Sequence, residues 1–562
     1  MTTQRRTVGT DWGWRLLLVM LLLAYWLLAT RNLERFPRIH YDEPIIATPG
    51  YKLFTEGVFG SDLYTGFYRQ EQIYLETLPL MPVLQGASLS LLGVGVWQMR
   101  YLAVVFGLLV LSFTYTVGAR IVGSQGVGAL AAWLLLTWRL TPGGDTFLGS
   151  GVTLLDVARI ARYDILVPVL GLASLLLWNA ATHRQEPGGQ RLIDAGQASA
   201  CRASCYYFGA GLLAGLAGFA NLYGLLWVGA FGIVWLVQQW FDYAAGQQTG
   251  WRHSLPGLVR FSSGWALPWL GWAIVLSTNW QAATGQFVKH SGRADLLDPR
   301  FYLQSLIREP HRYALGFREP ASYARLGFWL FLLGVPVALL WLAVRVRYKR
   351  DRRALLLLVP AVIIPLALGL FVNLKRYYYL VTVIPLLAVI LAWGIIALVG
   401  ELRVNRKRFL LLGLGTLLLT LWLVQWQAGI RQWQVMTAQR SKPVTFFEDL
   451  RGLIPATSLT IGPPDYWFAF HDRDYRSLGL LFVRSSPGNP HGVSFVTALE
   501  EVEPDYLLFH PSLPSGLEMT DHFDGGSRRV DFEQFMAGHE VQLVAELVDF
   551  NGDPVTVYRL HK

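Results

Sequence analysis

Along most of this chain, apolar residues do not alternate with polar ones but run in long unbroken blocks. Such blocks occur near residues 14–30, 79–95, 100–119, 126–140, 164–179, 206–220, 222–240, 257–277, 324–344, 354–372, 377–399 and 409–428. A bilayer core about 30 Å thick takes about 20 helical residues to cross, and most of the blocks approach that length. They predict an all-α polytopic membrane protein. After about residue 430 the pattern changes. Apolar runs there shorten to strand length at Ser458–Ile461, Tyr506–Phe509, Val541–Val548 and Val555–Leu560, and a helix-like stretch covers Phe532–His539. Asn551-Gly552-Asp553-Pro554 is a hairpin turn signal. The chain therefore reads as a transmembrane domain, 1–429, followed by a small soluble α/β domain, 430–562.

Charge decides which blocks cross. Cytoplasmic loops carry the excess of Lys and Arg. If every block crossed, Arg345, Arg347, Lys349, Arg350, Arg352 and Arg353 would lie outside, and so would Arg403, Arg406, Lys407 and Arg408. The block 79–95 is short and holds Pro79, Pro82 and Gln85. Laid flat as an interfacial helix it returns both clusters to the cytoplasm, leaving about eleven spans. Arg5 and Arg6 precede the first block, which is long and has no small-residue cleavage site after it, so it reads as a first transmembrane helix with a cytoplasmic N-terminus. Loop 31–98, loop 278–322 and the C-terminal domain then face the extracytoplasmic side of the plasma (inner) membrane.

Composition agrees with this picture. With 53% hydrophobic and 15% charged residues, the chain has too little polar surface to cover several soluble cores. The net charge of +10 is accounted for by the cytoplasmic loops, and no nucleic-acid partner is expected. The two cysteines, Cys201 and Cys205, suggest neither a metal site nor a disulfide framework.

A few polar residues stand out against this background. Asp42 and Glu43, in Ile39-His40-Tyr41-Asp42-Glu43-Pro44, lie just past the first span, either as a solvated acidic pair or as functional groups. Asp164, in Arg162-Tyr163-Asp164, opens an apolar block; it reads as a helix N-terminal acid satisfying free amides or as a site residue. Lys375 and Arg376, followed by Tyr377, Tyr378 and Tyr379, fall on the outer side where the positive-inside bias disfavours them. They are an interfacial pair with an aromatic belt, or a clamp for phosphate oxygens. Loop 278–322 is net basic, with Lys289, Arg293, Arg300, Arg308, Arg312 and Arg318, which suits an anionic ligand as well as a solvated loop. No metal-ligand spacing, Gly-rich phosphate loop or nucleotide fingerprint is present, and no cofactor or metal is expected.

Taken in order, these motifs resemble the GT-C glycosyltransferases, in particular the branch holding protein O-mannosyltransferases and the aminoarabinose transferases that modify lipid A. In that family an external loop after the first span opens with an Asp-Glu pair, matched by Tyr41-Asp42-Glu43-Pro44. Surface-lying helices follow and end at an Arg beginning the second span, as in Trp97-Gln98-Met99-Arg100. An external Arg/Asp segment matches Ala161-Arg162-Tyr163-Asp164, and a late basic-aromatic-proline stretch matches Lys375-Arg376-Tyr377-Tyr378-Tyr379 through Pro385. The likeness covers about residues 10–400. Two features depart from it. The His-Pro-Pro that often opens the family's surface helix is replaced by Glu76-Thr77-Leu78-Pro79, and the acidic pair lacks a second acid two residues on, so no metal site like that of oligosaccharyltransferases is expected.

The resemblance implies transfer of a sugar from a polyprenyl-phosphate donor to a lipid, glycan or protein acceptor, inverting by single displacement. Asp42 would be the base, with Glu43 or Asp164 orienting it or holding the acceptor. Lys375 and Arg376, with Tyr377 and Tyr378, would hold the donor phosphate, and Arg162, Lys289 and Arg293 would contact donor or acceptor. Two other classes compete. A transporter or flippase would bind near the midplane on broken helices in repeated halves, whereas here the acids sit at helix ends and no repeat appears. A non-enzymatic scaffold for the C-terminal domain would leave the outer-face cations without a role.

Overall fold

In a computed structural model, the described residues are 8–140, 149–183, 195–246, 250–287, 297–313, 324–373, 375–403, 408–486, 489, 491–524 and 526–561. The apolar blocks become helices. Eight helical stretches among the described residues are long and apolar enough to cross a membrane, from Trp12–Thr30 to Ile384–Glu401. That is fewer than the about eleven expected. The other expected spans fall in Gln125–Thr137, which has only 13 residues, in Gly250–Thr278 and in Arg408–Ala438. This last helix runs through residues 429 and 430, where the domain boundary was expected.

Small residues let the helices approach. Gly211 and Gly215, one turn apart, lie against the backbone of Phe261 and Trp265, where an added Cβ would come within 1.9 and 2.7 Å of heavy atoms. Without a hydrophobic drive in lipid, such contacts are what pack one helix on another. The apolar stretch 206–240 breaks at Asn221, whose side chain accepts from the Tyr223 amide at 3.3 Å. This cap puts Tyr223 on a short turn, Leu222–Leu225, rather than on a continuous helix.

The block 79–95 forms the 13-residue helix Leu80–Leu92. At 1.5 Å per residue it reaches roughly 20 Å, well short of a bilayer core. It packs on helix Asp42–Glu56 through Gly50 and Gly86, and a Cβ on Gly86 would meet the Gly50 carbonyl carbon at 2.0 Å.

The C-terminal part carries one five-stranded sheet: β1 Thr460–Gly462, β2 Tyr475–Ser477, β3 Tyr506–Phe509, β4 Val541–Val548 and β5 Pro554–Leu560. Their order is β2-β1-β3-β5-β4, with β1 parallel to β2 and β3, and β5 antiparallel to β3 and β4. The expected hairpin joins β4 and β5, with Gly552 at φ +89°. This sheet domain does not stand apart. Ile39, Ile45, Leu63, Tyr64, Phe67 and Tyr74 of the first loop share one apolar core with Phe446, Trp467, Leu507 and Val557.

Candidate active site

The chain leaving the first helix is held by two buried arginines. Arg100 donates to the carbonyls of Leu33, Pro37 and Arg38, and Arg159 to those of Leu28, Ala29, Arg31, Asn32 and Phe36. The last carbonyls of a helix lack intrahelical partners and carry partial negative charge, so cations belong there. Burial lowers the Arg159 pKa to about 9, with the Arg100 charge adding to the effect. The Arg159 guanidinium also lies over the Trp433 ring, 4.6 Å from its centroid.

Asp42 and Glu43 open helix Asp42–Glu56, and the first turn separates them by role. Glu43 and Arg100 form an ion pair in which both side chains are 0% exposed. Glu43 accepts from Arg100 Nε at 2.9 Å and Nη2 at 2.8 Å, from the His40 amide at 2.8 Å and from the Ala161 amide at 2.6 Å. All its acceptor capacity is used by the protein, which leaves no lone pair directed at a substrate. Through these bonds Glu43 ties the first loop to the Ala161–Arg162 segment.

Asp42 keeps a 22% exposed side chain. One of its oxygens, Oδ2, accepts from Arg162 Nη1, while Oδ1 has no partner among the described residues. Arg162 Nε donates to Asp164 Oδ2 at 2.9 Å, so one guanidinium bridges the two carboxylates. Asp164 is buried and also accepts from the Tyr223 hydroxyl at 2.8 Å. The Tyr378 ring lies under Arg162, 4.2 Å from its guanidinium carbon. Burial pushes the Tyr378 hydroxyl up to about 12, against the pull of Arg162. His40 stacks on Tyr41 and is lowered to about 4, chiefly by burial, so its ring is neutral at neutral pH.

The two late cations part company. Arg376 is exposed, makes no ion pair among the described residues, and lies close enough for its charge to bear on His40 and Tyr378. Lys375 turns the other way. Its Nζ pairs with Glu309 at 2.9 Å and donates to Ser305 Oγ at 3.0 Å and the Gly369 carbonyl at 2.8 Å. Burial lowers its pKa, against the Glu309 contact. Tyr377 also leaves the group, with its buried hydroxyl 2.6 Å from Thr153 Oγ1. Of the expected phosphate-binding set, Arg376 and Tyr378 lie beside the carboxylates, and Lys375 and Tyr377 are committed elsewhere. Lys289 and Arg293 lie outside the described residues.

Several residues here went unnoticed in sequence. Tyr223 follows a helix break at Asn221. Arg312 is read from sequence with its basic loop, but its pairing with Glu309 at 2.7 Å beside Lys375 is not, because no pattern in the loop marks it. Asp156 and Arg159 did carry a signal, as charges inside an apolar stretch. Buried Asp156 accepts from the Ser150 and Gly151 amides at 3.0 and 2.8 Å, and burial raises its pKa to about 6. The one set of metal-ligand types found among the described residues, His510, Asp549 and Asp553, lies in the sheet domain. Arg38 already sits among them, 3.0 Å from Asp553 and 3.4 Å from His510.

The assembly of membrane-length helices with a terminal sheet domain packed on the loop that carries Asp42 is a fold this chain shares with solved structures. The solved structures it resembles include ArnT from Cupriavidus metallidurans bound to undecaprenyl phosphate, at 17% identity and TM-score 0.58, covering 97% of this chain and 98% of that one. They also include the Archaeoglobus fulgidus oligosaccharyltransferase in complex with Zn and sulfate, at 13% identity and TM-score 0.52, covering 88% of this chain and 68% of that one. No protein-family model and no curated protein sequence matches the chain.

Proposed function

We propose that this protein is a membrane glycosyltransferase that moves a sugar from a polyprenyl-phosphate donor to a lipid, glycan or protein acceptor at the extracytoplasmic face. The observation that carries the reading is Asp42, a partly exposed carboxylate fixed through one oxygen by a buried arginine and open at the other. A phosphate leaving group is already a stable anion, so transfer needs no strong acid. It needs a base for the acceptor proton and a cation for the departing phosphate.

Asp42 Oδ1 is the base, taking the acceptor proton as the acceptor oxygen attacks the sugar's C1 and the C1–O bond to phosphate breaks. Arg162, held by Asp164 and Tyr378, keeps Asp42 in place. Arg376 meets the phosphate as its charge develops, the kind of stabilisation that often dominates catalysis. A single displacement of this kind inverts C1. The fold it shares with ArnT, solved with undecaprenyl phosphate, supports a lipid-phosphate donor. The transporter alternative gains no support from that fold, and the acids sit at helix ends rather than at a midplane site. The test is transfer from radiolabelled polyprenyl-phosphate sugars by the purified chain in lipid. Asp42→Asn is expected to lower the rate by about 10²–10⁴; an unchanged rate removes Asp42 from the role of base.

A further inference from the structure

A second hollow of about 380 Å³ lies between the first loop and the segment following helix Gly250–Thr278. It is lined by Tyr68, Arg69, Thr278, Asn279, Trp280 and Gln281, with a serine and an alanine completing the wall. None of these residues belongs to the Asp42 site. The volume is at the small end of the range for small-ligand sites, about 300–1,000 Å³.

The backbone is bent to build it. Tyr68 and Arg69 are consecutive non-glycine residues in the left-handed region, at φ +44° and +61°. Side chains with a Cβ adopt that conformation at a cost, and it persists only where the surroundings enforce it. The clamp on Tyr68 comes from distant parts of the chain. Its hydroxyl donates to Asn489 Oδ1 of the sheet domain at 2.9 Å, and its carbonyl accepts from Gln286, a fully buried amide, at 3.0 Å. Its ring packs so closely on Gly285 that a Cβ there would lie 2.0 Å from a ring carbon. The result presents Arg69 to the hollow with one intramolecular partner, Gln72 at 2.9 Å on Nε, and with both Nη groups unpaired among the described residues.

The opposite wall is chemically matched. Trp280 is 66% exposed. Asn279 donates both amide protons to its own helix end, to Val275 and Thr278, so its carbonyl oxygen is left to accept. The exposed Gln281 amide has no partner among the described residues. A membrane-interface tryptophan needs only an indole at the headgroup level, with no hollow built around it. Trp280 instead stands between two amides and shares its hollow with a guanidinium. A sugar ring presents one face of C–H groups, which packs on an indole, and a rim of neighbouring hydroxyls, which pairs with planar amides and guanidinium.

We propose that this hollow is a carbohydrate subsite, in which the exposed face of Trp280 stacks on one sugar ring while Arg69, Asn279 and Gln281 hold its hydroxyls. The proposal deepens the glycosyltransferase reading and rests on it for the origin of the sugar: a glycan ring of the acceptor, or the sugar of the donor.

The experiment uses the full chain in nanodiscs. Saturation-transfer NMR is recorded with a panel of methyl hexosides, hexosaminides and hexuronides. At least one probe is expected to receive saturation from wild type and from Asp42→Asn. Its signal is expected to fall about tenfold in Trp280→Ala and in Arg69→Ala, a loss of about 1.4 kcal/mol, and to recover in Trp280→Phe. Because Trp280 and Arg69 are exposed, neither truncation opens the core. Kinetics then assign the source: a raised KM for acceptor marks an acceptor glycan, and a raised KM for donor marks the donor sugar. Absence of any Trp280-dependent signal, or both KM values unchanged in the two alanine variants, overturns the subsite. The outcomes separate the two readings. Loss of transfer in Asp42→Asn with no effect at Trp280 leaves the enzyme reading standing alone, whereas Trp280-dependent binding with undiminished transfer by Asp42→Asn leaves only the subsite.

Discussion

Replacing Glu43 by Gln preserves its shape and removes its charge, which isolates what the buried pair with Arg100 does. Both side chains are 0% exposed, and Arg100 gives two of its hydrogen bonds to the carboxylate. Without that charge, the guanidinium stays buried with only carbonyl partners. Breaking a buried pair from one side costs about 3–5 kcal/mol. The cost falls on the segment that Glu43 ties down, so the opening of residues 36–56 becomes more frequent. At 1.4 kcal/mol per factor of ten, amide exchange across that segment should accelerate by about 10²–10⁴. Asp42→Asn is the control. Arg162 keeps its bond to Asp164 there, and the loss of one charged hydrogen bond is ~1.5–3 kcal/mol, about a hundredfold in exchange at most. Hydrogen-exchange mass spectrometry of both variants, run beside the transfer assay, gives a double readout. Asp42→Asn should lose catalysis with the segment largely intact, and Glu43→Gln should lose the segment's protection first. If Glu43→Gln exchanges like wild type yet transfers as poorly as Asp42→Asn, Glu43 acts on substrate and the structural role assigned to it is wrong.

Arg376→Ala should lower kcat/KM for the polyprenyl-phosphate donor by about 10–100-fold, the worth of a charged hydrogen bond to phosphate, and weaken the salt dependence of that constant. Lys375→Ala should lower thermal stability and leave that salt dependence unchanged; equal kinetic effects of the two would return Lys375 to the phosphate site. Asp465 provides a pH test, because burial, opposed by the Arg38 charge, raises its pKa from 3.8 to about 7, and its Oδ1 is buried without a partner. A raised carboxyl pKa stabilises the folded state below the unfolded value, and that contribution is lost as pH rises through the folded one. Asp465→Asn should therefore gain on wild type by about 2–4 °C in unfolding midpoint between pH 5 and pH 8; a gap that stays constant across that interval contradicts the assignment.

Membrane character, a short helix within 79–95 and the strands β1 and β3 to β5 were legible in sequence because each lies in a pattern several residues long. Gln85, one reason to keep 79–95 out of the membrane, is fully buried, with its amide on the Ala161 carbonyl beside Arg162. Strand β2, Tyr475–Ser477, has no apolar run to mark it. The span count suffered likewise where a helix such as Gln125–Thr137 is short. Of the residues named in sequence, Asp42, Arg162, Asp164 and Tyr378 do lie together, but the directions of neighbouring side chains were not legible. Lys375 and Arg376 have the same signal, but Arg376 is extended at φ −89°, ψ 136°, and in extended backbone successive side chains point to opposite sides. Asp42 and Glu43, likewise adjacent, differ because a helix turns by about 100° per residue, which carries one acid inward and leaves the other at the rim. No local rule says which; Arg100, far along the chain, decides it.

The apolar core that Ile39, Ile45 and Tyr74 share with Leu507 and Val557 also imposes an order on biosynthesis. Residue 42 is translated long before the wall that seats its loop. Until β5 is made, the early loop lacks part of its packing, and its apolar side chains go without the cover they have in the folded protein. The seating of the loop that carries Asp42 therefore waits on β5, and a nascent protein stalled before that strand would lack the core that holds the loop in place.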